Sequence, residues 1–217
     1  MNTVRGPTSL LFIEELGTER VIQKETMGMN KPSYFISTQT GIFSPRVLFI
    51  GVLTNIVPLE IEEEPAFLSE ENSTPSRDVS SHVIELKGVT GNTVSGLIPK
   101  NLSEIKVGDR LIVLAKIFNP TDAEEFLDVF LRIEEIKLLD DHDFLNEWGN
   151  SCNNFNKRLK FLKDFEKGSV NLYSEDSNFF LRSHQMSSRF VNSFSSEQMN
   201  NFYENIKIGL RKLLDEK

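Results

Sequence analysis

The stretch RVLFIGVLTN, residues 46–55, is dense in Val, Leu, Ile and Phe and carries one glycine, Gly51, near its centre. Such residues favour a pleated strand, and a glycine inside a strand marks a bulge or the sharp bend with which small barrels turn corners. The apolar run 47–57 is far shorter than the roughly 18–20 residues of a membrane span, and Gly51, Thr54 and Asn55 interrupt it. It is therefore a strand of a water-facing β domain.

Working outward, SHVIEL (81–86) is a second strand, KGVTGN (87–92) supplies two glycines for a tight turn, and TVSGLI (93–98) returns as a third. The polar segment 101–107 spaces Leu102 and Ile105 for one helical turn. RLIVLAKIF (110–118) is the clearest strand, and after the loop NPTDAEE (119–125) comes a fifth, FLDVFLRIEEIKLL (126–139). There Val129, Leu131, Ile133 and Ile136 mostly alternate with Asp128, Phe130, Arg132 and Glu134. Three strands, a short helix and two strands is the order of a five-stranded OB-fold barrel, an order other five-stranded β domains share. The expected fold is mostly β with flanking helices: an OB-fold barrel over 44–139, then a long amphipathic helix and a C-terminal helical segment.

The insertion between the first two strands, 58–80, holds three prolines and six glutamates, a composition that buries no core and reads as a flexible acidic loop. Residues 1–43 are expected to supply a short helix and strand packing on the barrel. Over 140–168 the periodicity becomes helical. Asp140 and Asp141 suit a cap, and Phe144, Trp148, Cys152, Phe155, Leu159 and Leu162 form one apolar stripe. Residues 169–217 read as a Ser/Asn-rich linker and a last helix, in which Ser195 and Gln198 are spaced as a capping box.

The chain has 217 residues, 24 Lys+Arg against 32 Asp+Glu, and a formal net charge of −8. The block 44–139 contributes nine bases and sixteen acids, so the acidic excess lies mostly there and largely in the 58–80 loop. This balance argues against counterion-driven nucleic-acid binding over the whole surface and confines any such site to a local patch. One cysteine excludes an internal disulfide. With no signal-peptide pattern, a soluble, cytoplasmic chain with no membrane partner is expected.

Chemistry is sparse. His82, His142 and His184 stand in unrelated contexts, and no HExxH, CxxC, GxGxxG or P-loop occurs. Cys152 lies on an apolar helix stripe, as a packing residue does, and Asp140, Asp141 and Asp143 are explained by helix capping before any cation. No catalytic set, metal site or cofactor is expected. Binding fits better, because a barrel of this order holds single-stranded nucleic acid with bases for the backbone and rings for stacking. Candidate bases are Arg46, Lys87, Lys100, Lys116 and Arg132, and the candidate rings are Phe49, Phe118, Phe126 and Phe130, of which Phe118 and Phe130 are the favoured pair. Phe130 either faces outward with Arg132 or packs under the following helix. Phe49 reads as core, and the third strand has no ring at all.

The segments Phe12-Ile13-Glu14-Glu15-Leu16, Tyr34-Phe35-Ile36, Thr40-Gly41 and above all residues 46–54 resemble the archaeal replication protein A-associated proteins. The likeness spans roughly residues 10–165. It implies an OB-fold accessory subunit of a single-stranded-DNA-binding complex, similar in layout to the middle subunit of replication protein A and to Stn1-type subunits, acting in DNA replication and repair. It also implies a large-subunit partner, a hetero-oligomer, and a role in assembly for the stripe Phe144, Trp148, Cys152, Phe155, Leu159 and Leu162. That stripe packs either on partner helices or back on its own barrel and the 199–213 helix. The ring-free third strand and the long acidic loop favour weak DNA contact. Two other readings stand beside it: a protein-interaction adaptor whose barrel does not touch DNA, and an RNA-binding OB module.

Overall fold

A computed structural model describes residues 8–18, 20–25, 33–59, 81–98, 105–118, 129–170 and 175–215. Five strands close a barrel: β5 (Arg46–Leu59), β6 (Ser81–Lys87), β7 (Thr93–Ile98), β8 (Arg110–Ile117) and β9 (Val129–Leu138). They run in the order β5-β6-β7-β9-β8, with β8 pairing back to β5, and only β7–β9 is parallel. This closed order is that of the OB-fold. Alternation builds it: Leu111, Val113, Ala115 and Ile117 of β8 are fully buried, while Ile112, Leu114 and Lys116 take the opposite phase.

Before the barrel lie β1 (Thr8–Leu10), α1 (Ile13–Leu16), β2 (Arg20–Glu25), β3 (Ser33–Thr38) and β4 (Phe43–Ser44). β1 adds in parallel to the first residues of β5, and β2-β3-β4 form a separate three-stranded sheet, more strand than the sequence pattern announces. Gly51 is not where β5 breaks register. The extra residue is Thr54, between Leu53 and Asn55, while a Cβ at Gly51 would come within 2.6 Å of Ile13 Cδ1. The glycine thus admits α1 against the barrel, where Ile13 and Leu16 join its core. Of the expected 58–80 loop, Pro58 and Leu59 instead belong to β5, paired with His82 and Ser81, and 60–80 lies outside the described residues. So do 101–104 of the expected helical turn and 126–128 of the expected fifth strand.

Three helices follow. α2 (Asp141–Glu166) is capped by Asp140, whose carboxylate accepts the Asp143 N–H at 2.7 Å. Its apolar stripe is covered by the chain itself. Phe144, Trp148, Phe155, Leu159 and Leu162 are buried, Cys152 is half-buried, and α4 (Ser196–Asp215) lies over them through Met199, Tyr203 and Ile206. Phe12 stacks on Trp148 at 5.3 Å between ring centroids, and Tyr203 on Phe155 at 4.7 Å. Within the chain these six residues pack into a second core, which is the fold-back alternative of the two arrangements expected for the stripe. Burial of each large side chain contributes about 1.5–3 kcal/mol, which favours folding back once α4 offers a matching face. The box at Ser195 and Gln198 is formed reciprocally, at 2.9 and 3.2 Å.

The 169–217 segment is also more than a linker and one helix, because Glu175–Ser187 form α3. Its buried contacts are hydroxyls, which is why no apolar stripe announces it. Ser183 Oγ donates to the Gly41 carbonyl (2.8 Å) and accepts the Phe43 N–H (2.9 Å), and Ser187 Oγ donates to the Thr38 carbonyl (2.7 Å). Among the described residues no helix is long and apolar enough to cross a membrane.

Candidate nucleic-acid interface

Strand register brings three of the predicted bases together. Arg46 of β5 pairs with Lys116 of β8, and Lys116 with Arg132 of β9, so the three form one cross-strand row on the outer phase. Neighbouring strands are about 4.8 Å apart, which gives the row a span suited to consecutive phosphates of an extended strand. The same row continues round the barrel. Arg132 pairs with Leu97 of β7, Leu97 with Val83 of β6, and Val83 with Val57 of β5. Bases thus run directly into an aliphatic row, in which Val57 is 44% exposed and Leu97 buried.

Within the row, Arg46 is engaged. Its Nε and Nη2 donate to the two carboxylate oxygens of Glu134 at 2.7 and 3.0 Å. These charge-assisted bonds push the Arg46 guanidinium above its ordinary value. Lys116 is exposed and makes no hydrogen bond or ion pair among the described residues. Arg132 is half-buried, as is Phe118, which follows β8 at the same end of the barrel.

The remaining candidates are elsewhere. Lys87 is exposed at the far end of β6, four residues from Val83, hence about 13 Å along the strand from the row. It borders a cleft of about 320 Å³ with Trp148 and Lys212. Lys100 and the side chain of Phe130 lie outside the described residues. Between Lys87 and the row, the outer phase of β6 and β7 offers Glu85, Thr93 and Ser95 and no ring, and the Glu85 carboxylate accepts the Thr54 hydroxyl at 2.9 Å. Phe49 is fully buried in the barrel.

Glu134 is the residue sequence reasoning missed. Ile133 pairs with Ala115 and Glu135 with Leu114, so Glu134 is the extra residue of a bulge. Its signal in the sequence is the three-residue gap from Ile133 to Ile136, which breaks a period of two. The aspartates near the start of α2 are all engaged: Asp140 caps the helix, Asp141 pairs with Arg110, and Asp143 with Lys137 at 3.0 Å. Among the described residues no group of three His, Cys, Asp or Glu is placed to hold a metal ion.

The class defined by strand order is the OB-fold barrel, here with a helical layer built by the chain's own residues 141–215. No protein-family model matches the chain, and no curated protein matches it. Among solved structures, a chain of a replication protein A heterotrimer bound to ssDNA aligns over 64% of this chain and 88% of its own, at 12% identity and a TM-score of 0.37.

Proposed function

We propose that the protein is a non-catalytic OB-fold module that binds single-stranded nucleic acid weakly through Arg46, Lys116 and Arg132, as an accessory subunit of a replication protein A-like complex of the archaeal type. The observation that carries this reading is the in-register basic row on the barrel's outer phase, continuous with Leu97, Val83 and Val57. A row of three cations on a chain of net charge −8 neutralises few phosphates, so binding is weak, salt-sensitive and reliant on a partner with a larger site. Such a partner meets some surface other than the 144–162 stripe, which the chain buries itself.

The test is fluorescence anisotropy with labelled oligo(dT) at low salt. Lys116→Glu with Arg132→Glu is expected to weaken binding at least tenfold, by on the order of 0.7–1.4 kcal/mol for each reversed contact. Unchanged affinity in that double variant removes the row from the interface. Running oligo(U) in parallel separates DNA from RNA preference.

The ring-free outer phase of β6 and β7 favours a second reading, a protein-interaction adaptor whose barrel does not touch nucleic acid. No binding of either oligonucleotide at low salt selects it.

A further inference from the structure

We propose that Glu134 is an affinity-setting residue of this interface: its carboxylate occupies the seat on Arg46 that a nucleic-acid phosphate takes on binding. The inference rests on the proposed interface. A carboxylate engaging the guanidinium fork with both oxygens has the geometry with which arginine also receives a phosphate. Glu134 holds that geometry at 2.7 and 3.0 Å from two different nitrogens of Arg46. The contact reaches across β8, the strand that carries Lys116 between Arg46 and Arg132.

The bulge is what places the carboxylate there. Without the extra residue between Ile133 and Glu135, the alternation of β9 would continue through a single acid and the register against β8 would not skip. Bulges re-aim side chains, and this one adds an acid to a row otherwise made of bases. The pair is partly desolvated, with the side chains of Arg46 and Glu134 18% and 29% exposed, so salt screens it less than an open surface pair. The exposed Lys116 then makes a phosphate contact directly, whereas contact at Arg46 requires the strand to displace Glu134. The bound ligand class is thus a phosphodiester backbone that competes with a tethered carboxylate for one arginine.

The experiment uses the full chain and labelled oligo(dT), titrated by anisotropy across a range of salt concentrations. Glu134→Gln is expected to tighten binding about fivefold at low salt. The slope of log affinity against log salt is expected to steepen by about 0.7, the contribution of one further phosphate contact on a single strand. Adding Arg46→Ala to Glu134→Gln is expected to abolish the gain and leave affinity and slope at or below the wild-type values, because the seat itself is then gone. Glu197→Gln, which removes the same charge from an exposed position on α4, is expected to leave both unchanged.

Unaltered affinity and slope in Glu134→Gln, with a wild-type protein that binds and loses binding in Lys116→Glu with Arg132→Glu, overturns this inference and leaves the interface standing. An equal gain in Glu197→Gln overturns it as well, since the effect is then net charge alone. Absence of binding by both wild type and Glu134→Gln overturns the interface and the inference together.

Discussion

Arg158 of α2 donates to both carboxylate oxygens of Glu15 in α1, from Nη1 at 2.6 Å and Nη2 at 2.8 Å, with the two side chains 7% and 0% exposed. Glu15 also accepts the Phe12 N–H at 2.9 Å, so one carboxylate fixes the start of α1 and ties it to the helical layer. The residues are 143 positions apart. Removing one partner strands the other charge in a dry site. Glu15→Ala is expected to destabilise the protein by about 3–5 kcal/mol, measured by urea unfolding. A loss below about 1 kcal/mol would show that the pair contributes no more than an exposed one.

Two glycines on the helices have opposite surroundings. A Cβ at Gly209 in α4 would come within 2.6 Å of the Val89 carbonyl oxygen, whereas one at Gly149 in α2 meets nothing within 4 Å. Gly209→Ala is expected to push α4 away from the turn after β6 and to destabilise by about 1–3 kcal/mol. Gly149→Ala is expected to stabilise by about 0.5–1 kcal/mol through helix propensity alone. Thermal unfolding of the two variants beside wild type checks both signs.

Glu14, buried in α1, accepts the Thr90 N–H at 2.9 Å and its hydroxyl at 3.2 Å with one oxygen, while the other has no partner among the described residues. Burial raises its pKa above the ordinary 4.5, and the bonds from Thr90 pull the opposite way without cancelling the shift. A carboxyl with a raised folded-state pKa keeps its proton longer in the folded than in the unfolded chain. Its unfavourable contribution is absent below about pH 4.5 and grows as pH rises through the folded value. Glu14→Gln keeps an acceptor for Thr90 and removes the titration. Its stability relative to wild type is expected to rise between about pH 4 and pH 7, and a flat difference in denaturant midpoints would exclude the effect.

Phe155 is fully buried between Phe12, Phe202 and Tyr203. Because this cluster joins the barrel to α2 and α4, Phe155→Ala is expected to cost about 3–5 kcal/mol. Hydrogen exchange should show α2 and α4 losing protection together, while the inner residues of β8 and β9 exchange more slowly. Unchanged protection in α4 would mean that the two helices do not share one core.

The barrel strands were legible in the sequence because a half-buried strand writes its own period: residues 110–117 alternate, and the structure buries every second one. The capping box at Ser195 and Gln198 was legible for a similar reason, being local in the chain. α3 was not, because its buried contacts are the hydroxyls of Ser183 and Ser187, which read as linker composition. The apolar stripe of α2 was visible, but its cover was not, since periodicity reveals a face and never its occupant.

The site divides the same way. Each of Arg46, Lys116 and Arg132 was recognisable as a base on a strand, and that much the sequence by itself determined. Only the tertiary structure decided that they share one row, that Lys87 stands apart from it, and that Glu134 sits on Arg46. The physical reason is that alternation is a local property with period two, whereas cross-strand register depends on bulges at Thr54 and Glu134 and on closure of β8 against β5. A one-residue change in either bulge moves which charges meet, and nothing within a single strand specifies it.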